Sequence, residues 1–155
     1  MKKRQIARAA KEFRAAVRGE IPGYEVLKAY MEEKGWVVVE FGDGGKGDRQ
    51  LEALGIAEYA EGVKAFFFTS KAFRVIAVSA LEPMAERSDL LRHEIGHILL
   101  KHDPEQLTVK ADADASLFAL YLQDTRQEKA VKWLPWVLCV PWDCINTSSL
   151  LGVIQ

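Results

Sequence analysis

The hydrophobic residues of this chain follow two kinds of spacing. Apolar positions recur at helical intervals and predict helices over residues 4–18 and 24–34, from about 88 to the Asp103–Pro104 pair, and over 109–123. Stretches rich in β-branched and aromatic residues predict strands over residues 36–41, 63–70 and 72–79. Helices at both ends therefore flank a small group of strands.

Several details of these elements follow from single residues. The second helix should turn Val26, Leu27, Tyr30 and Met31 inward and stop at Gly35, which suits a C-terminal cap. Ser88 is the predicted N-cap of the third helix. The last helix is apolar nearly all round, so it should be buried. Residues 51–62 fit either a short helix or a turn.

A glycine-rich segment, Gly42 to Gln50, predicts a flexible loop. It resembles a phosphate-binding loop only superficially. Gly47 stands where that motif requires Ser or Thr, and Glu40 stands where its first glycine belongs. Phosphate binding is therefore not the favoured function of this segment.

Length and charge limit the function classes. The chain has 155 residues, which predicts one domain over residues 1–155, and its net charge of −1 gives no overall bias toward nucleic acid. The N-terminal segment 1–20 is basic. We favour the solvated face of an amphipathic helix there over a surface that binds nucleic acid or an acidic partner. With no apolar signal segment and no stretch of about 18 apolar residues, we expect a cytoplasmic protein without a membrane span.

The C-terminal extension, residues 125–155, has no role that the sequence assigns. Cys139 and Cys144 have a spacing that fits neither a zinc ribbon nor a redox pair. Trp133, Trp136 and Trp142 form an aromatic cluster. We favour a cover for the core over an exposed patch that binds a partner.

All three histidines of the chain lie between His93 and His102. His93 and His97 are four residues apart, so on a helix they share one face and could bind one zinc ion. Glu94 projects at a neighbouring angle and could act as a general base. This is the H-E-x-x-H pattern of zinc hydrolases, and Gly96 within it would allow a neighbouring backbone to approach closely.

A catalytic zinc needs a third protein ligand. His102 lies five residues beyond His97, about 140° round a continuing helix, so we assign it to a supporting or surface position. The remaining candidates are two carboxylates in the last helix, Asp112 and Asp114. We favour Asp112, because it is in register with a stripe of small residues; either aspartate could instead only cap or charge the first turn.

These residues resemble the ImmA/IrrE family of zinc metallopeptidases. His93, Glu94 and His97 match its metal helix, and Asp112, Ala115, Phe118 and Ala119 match the helix that supplies the third ligand. The resemblance implies a small zincin-like α+β domain of the gluzincin type, with a short antiparallel sheet. The family has glutamate where this chain has Asp112, so either the helix sits closer or the site is weaker. Ser116 replaces the usual Asn or Asp.

The resemblance also implies a function. We expect an intracellular endopeptidase, of a kind often encoded by phages or mobile elements, that cleaves a helix-turn-helix repressor. The metal would be zinc on His93, His97 and Asp112, and Glu94 would be the catalytic base. The alternative is a non-hydrolytic regulatory module on the same scaffold that binds a transcription factor or an antitoxin-like partner.

Two further expectations concern the surroundings of the metal. His102, Tyr121 and Asp114 are candidates to orient the imidazole rings. The strand over residues 72–79 is either an edge that pairs with an extended substrate or an ordinary internal strand.

Overall fold

The computed structural model describes residues 2–17 and 22–123. These contain five α-helices, one 3₁₀ turn and a three-stranded sheet, so the chain is a mixed α+β protein. In chain order the elements are α1 (Lys3–Val17), α2 (Tyr24–Glu33), β1 (Val37–Phe41), α3 (Lys46–Leu54), the 3₁₀ turn Ala57–Ala60, β2 (Ala65–Thr69), β3 (Arg74–Ser79), α4 (Met84–Leu99) and α5 (Val109–Gln123).

The sheet is mixed rather than antiparallel, which corrects one expectation. β2 and β3 pair antiparallel, with Phe67 opposite Ile76, as adjacent strands with a tight turn do. β1 pairs parallel to β3, with Val38 also opposite Ile76. The connection between β1 and β3 includes a helix and a strand, which gives the chain room to cross over. The strand order is β1-β3-β2, so β3 is internal and does not form an edge for substrate.

Alternate side chains of the strands supply two cores, one on each face of the sheet. Val38, Phe67 and Ile76 belong to the larger core, which contains the apolar faces of α1, α2, α4 and α5. Val39, Val75 and Ala77 belong to the smaller core, which α3 and the 3₁₀ turn cover. Because side chains alternate between the two faces of a sheet, each strand contributes to both cores.

The helices depart from the predictions at particular residues. α4 begins at Met84 after Pro83, so Ser88 is not its N-cap; Ser88 is buried and its hydroxyl donates to the Met84 carbonyl (3.1 Å). In α2 Leu27 and Met31 are buried, but Val26 is exposed. α5 buries one face only, since Val109 is 90% exposed.

The glycine-rich segment is more ordered than predicted. α3 begins at Lys46, inside the predicted loop. The Asp48 carboxylate accepts hydrogen bonds from the Gly42 and Gly44 amides (2.9 and 2.5 Å), and Asp43 accepts one from Gly45 (3.0 Å). Three amides of this segment are therefore bonded to the chain's own carboxylates and are not available to a phosphate.

α4 and α5 pack closely where α4 has a glycine. A Cβ atom on Gly96 would lie 3.0 Å from the Ala115 carbonyl oxygen and 3.1 Å from the Phe118 ring. The glycine costs helix propensity, about 1 kcal/mol relative to alanine. The missing side chain lets α5 approach α4 at Ala115 and Phe118, one to two turns beyond Asp112.

The predictions for the cysteines and the tryptophan cluster of the C-terminal extension fall outside the described residues. No helix within residues 2–17 and 22–123 has the length and apolar character required to cross a membrane.

Candidate metal centre

Two imidazoles and one carboxylate meet between α4 and α5. The rings of His93 and His97 lie one helical turn apart, with centroids separated by 4.8 Å. Oδ1 of Asp112, in the first turn of α5, is 2.8 Å from Nε2 of His93 and 3.3 Å from Nε2 of His97. One ligand atom from each residue lies within 4.8 Å of the others, so the group could hold a metal ion.

The sequence around α5 explains why Asp112 is available. Thr108 caps this helix: its hydroxyl oxygen accepts a hydrogen bond from the Ala111 amide (3.0 Å). The Asp112 carboxylate is therefore not needed as a cap and faces the two histidines. Asp114 acts electrostatically on His102 instead. The structure thus places Asp112, and not Asp114, with the two imidazoles.

Each imidazole also has a polar partner at its other nitrogen. Nδ1 of His93 is 3.1 Å from the Ser116 hydroxyl oxygen, and Nδ1 of His97 is 2.8 Å from Nδ1 of His102. When the Nδ1 atoms carry the protons, both Nε2 lone pairs point toward Asp112. Metal-binding histidines usually have such a partner, which fixes the tautomer and the ring orientation.

The electrostatics favour a neutral His97. Burial, followed by the charges of His93 and His102, lowers the pKa of His97 to about 4, although Asp112 opposes this. A neutral imidazole has the lone pair that a metal requires. Burial acts to raise the pKa of Asp112, but hydrogen bonds and charges from His93 and His97 outweigh it and lower that pKa. Asp112 is therefore an anion at neutral pH.

Glu94 is a buried acid beside this group. Its side chain is 7% exposed. Burial, followed by the negative charge of Asp112, raises the pKa of Glu94 to about 8. It is not a member of the converging metal-binding group.

A cavity of about 480 Å³ opens next to these residues. Glu94, His93 and Ser116 contribute polar atoms to its lining. The remaining walls come from the start of β2 and the residue before it, from the N-terminal half of α4 and from the last turns of α5: Lys64, Ala65, Glu86, Asp89, Leu90, Ala119, Leu120 and Gln123. A small molecule or a peptide side chain could thus approach Glu94 and His93 from solvent.

Of the residues predicted to support the imidazoles, His102 does contact one but Tyr121 does not, and Ser116 was missed. α4 ends at Leu99, so His102 is not on a continuing helix; it follows a turn that returns its ring to His97. Ser116 contacts His93, although it appeared only as a departure from a motif. Tyr121 does not orient an imidazole: it is buried in the larger core, and its carbonyl oxygen accepts a hydrogen bond from Arg14 (2.8 Å). An i, i+4 spacing from Asp112 to Ser116 was the available signal for the serine.

No family model, curated protein or solved structure matches this chain.

Proposed function

We propose that this protein is a zinc-dependent endopeptidase with a zincin-like fold, as its resemblance to the ImmA/IrrE family implies. One observation carries the proposal. A buried carboxyl group, Glu94, faces a cavity next to a converging group of two imidazoles and one carboxylate. A helix with H-E-x-x-H presents this combination when it serves in hydrolysis.

The donor set suits zinc better than a hard cation. Two imidazole nitrogens and one carboxylate oxygen are the ligand types of catalytic zinc sites, which keep one position open. Calcium and magnesium prefer ligand sets made of oxygen. When bound by His93, His97 and Asp112, zinc would polarise a carbonyl group and make water more acidic.

Glu94 is the residue that we assign to proton transfer. Burial favours the neutral form of this carboxyl group, whereas a dication beside it would favour the ionised form. As a carboxylate it would accept a proton from the attacking water and pass that proton to the leaving amine. Hydrogen bonds at Nδ1, to Ser116 from His93 and to His102 from His97, would leave Nε2 of each ring for the ion.

The edge of the sheet favours a peptide as substrate. The Ser79 amide donates to the Lys64 carbonyl (2.8 Å), which fixes the hydrogen-bonding pattern of the β2–β3 ladder. In that pattern the backbone groups of Ala65, Phe67 and Thr69 point away from β3. Within the described residues β2 pairs with β3 alone. An extended peptide could add to this edge, and Ala65 lines the cavity.

The substrate that we propose is a helix-turn-helix repressor, and the site of action is the cytoplasm. Both rest on the family resemblance. The residues that line the cavity would accommodate a peptide, but they do not specify its sequence.

The test is Glu94→Gln, with Glu33→Gln, an exposed glutamate on α2, as the matched control. Zinc-loaded protein is incubated with repressors encoded near its gene and with a mixture of unfolded peptides, and new N-termini are counted. We expect Glu94→Gln to keep zinc and lose about 10²–10⁴-fold in cleavage rate, as loss of a general base does. Glu33→Gln should cleave like the wild type.

Two results would contradict the proposal. Cleavage by Glu94→Gln at the wild-type rate would remove Glu94 from the mechanism. Binding of a repressor without cleavage, equal in wild type and Glu94→Gln, would favour the regulatory module instead.

A further inference from the structure

Three helices of this protein end in the same backbone motif. After α2, the Gly35 amide bonds to the Glu32 carbonyl (3.0 Å) and the Trp36 amide to the Met31 carbonyl (3.0 Å). The same two bonds, to carbonyls three and five residues earlier in the chain, end the other two helices. The amides of Gly55 and Ile56 donate them at the end of α3, and the amides of Lys101 and His102 donate them at the end of α4. This is the Schellman motif, whose turn residue adopts a left-handed conformation. That residue has φ of 95° at Gly35, 77° at Gly55 and 61° at Lys101.

The motif brings together two side chains that are five residues apart. This pair is frequently apolar. It is apolar here after α2, where Met31 and Trp36 are both buried, and after α3, where Leu51 and Ile56 are both buried. After α4 the same two positions are His97 and His102. Their Nδ1 atoms are 2.8 Å apart, a hydrogen bond in place of an apolar contact.

The α4 turn also departs from the other two in its central residue. Lys101 is the one non-glycine residue with positive φ among residues 2–17 and 22–123. A side chain in this conformation is unfavourable, since its Cβ approaches the following carbonyl. The turn forms nonetheless, with the His102 amide bonded to the His97 carbonyl (2.9 Å). Backbone and side chain of His102 thus both bind His97.

We propose that His102 is a positioning residue for the metal centre, and that it acts by holding the proton of His97 on Nδ1. The inference deepens the proposed function and rests on it. Nε2 of His97 faces Asp112, and a carboxylate there attracts a proton onto Nε2, where it would block the metal. Nδ1 of His102, as an acceptor, draws that proton to the opposite side of the ring. His97 then presents a free Nε2 lone pair in a fixed orientation.

His102 does not act as a ligand in this arrangement. Its Nδ1 atom is engaged by His97, and the converging group that could hold a metal consists of His93, His97 and Asp112. The neighbouring ring has a similar partner, since the Ser116 hydroxyl oxygen lies 3.1 Å from Nδ1 of His93 and can accept its proton. Both imidazoles would thereby present the same nitrogen to one ion.

The test measures zinc affinity by competition with a chelator in three variants of the full chain. His102→Phe keeps a ring but has no acceptor. His102→Asn places an amide oxygen close to the position of Nδ1, so it can accept the bond. Lys101→Gly keeps His102 and suits the left-handed turn. We expect a 10–100-fold loss of affinity in His102→Phe, as for other partners of metal-binding histidines, and a change below about threefold in the other two.

A second measurement reports the hydrogen bond itself. In ¹⁵N-labelled protein an N–H···N bond gives a scalar coupling between the two nitrogens, here Nδ1 of His97 and Nδ1 of His102. We expect this coupling in the wild type and in Lys101→Gly, with or without zinc.

The outcomes separate the two proposals. Zinc affinity in His102→Phe equal to the wild type, or a wild type without the coupling, overturns the role of His102 and leaves the metal centre in place. A wild type that shows the coupling and binds no zinc overturns the metal centre on which the inference rests.

Discussion

Two polar segments of this protein contain the same feature, an aspartate in the first turn of a helix, with opposite results. Asp48 lies in the first turn of α3 and accepts hydrogen bonds from the amides of Gly42 and Gly44. Asp112 lies in the first turn of α5, where Thr108 caps the Ala111 amide, and its carboxylate faces His93 and His97. The first carboxylate stabilises its own loop, whereas the second is available to a ligand. A site needs polar groups that the chain does not already satisfy.

The glycines of the two segments show the same contrast. A Cβ on Gly47 would lie 1.7 Å from the Glu40 carbonyl oxygen, so this glycine lets α3 pack on β1. Gly47 occupies the position where a phosphate loop has Ser or Thr, and packing accounts for it. Gly96 lets α5 approach α4, which places the short side chain of Asp112 within reach of both histidines.

The most direct test of this difference between Asp48 and Asp112 is to replace each aspartate, and the ligand His97, by alanine and to measure bound zinc. We expect His97→Ala and Asp112→Ala to lose zinc affinity by at least about 100-fold, because a ligand contributes more than the partners that orient it. Asp48→Ala should bind zinc like the wild type, and so should Asp114→Ala. Elemental analysis after zinc loading and dialysis gives the content, and chelator competition gives the affinity.

Equal zinc loss in Asp48→Ala and Asp112→Ala would contradict the distinction between the two aspartates. Loss of zinc in Asp114→Ala but not in Asp112→Ala would show that Asp114, and not Asp112, is the third ligand. Circular dichroism of each variant checks that the fold is kept.

The sequence predicted best what depends on local spacing. The i, i+4 relation placed His93 and His97 on one face, and the bounds of α5, Val109–Gln123, are as predicted. The stripe of small residues favoured Asp112, which the structure places with the histidines. Each of these depends on helical geometry within a few residues.

The misses depend on contacts that the local pattern does not contain. The parallel pairing of β1 with β3 joins residues 38 apart in the chain, such as Val38 and Ile76. His102 was placed on a continuing helix, because Lys101 gave no glycine signal for the left-handed turn that ends α4. Ser116 was treated as a departure from a family motif, although its hydroxyl contacts His93.

The pH dependence of stability tests the environment of Glu94 and His97 in the candidate metal centre. Folding raises the pKa of Glu94 from 4.5 to about 8, so the metal-free folded protein binds more protons than the unfolded chain between these values. Its free energy of unfolding therefore falls as pH rises from 4.5 to 8. The depressed pKa of His97, about 4 against 6.5, acts in the opposite direction, but only below pH 6.5.

Glu94→Gln removes the first of these effects. In EDTA we expect its stability advantage over the wild type to grow from pH 5 to pH 8 by at most about 4 kcal/mol, at about 1.4 kcal/mol for each pKa unit. Urea unfolding at pH 5, 6.5 and 8 measures it, with Glu33→Gln as the control that follows the wild type. An advantage that stays constant over this range would contradict the raised pKa of Glu94.

The smallest expected effect tests whether helix packing sets the geometry of the site. In Gly96→Ala the new methyl group would lie 3.0 Å from the Ala115 carbonyl oxygen, and this backbone atom cannot rotate away. α5 must shift, so we expect a loss of about 1–3 kcal/mol in unfolding free energy, the usual cost of overpacking, partly offset by better helix propensity. Zinc affinity should fall as well, because Asp112 moves with α5. Gly23→Ala, where a Cβ meets nothing within 4 Å, should leave zinc affinity unchanged and, because Gly23 is the N-cap of α2, should cost no more than about 1 kcal/mol of stability. If Gly96→Ala lost stability but bound zinc as tightly as the wild type, the site would tolerate the shift, and the close approach of the helices would serve packing alone.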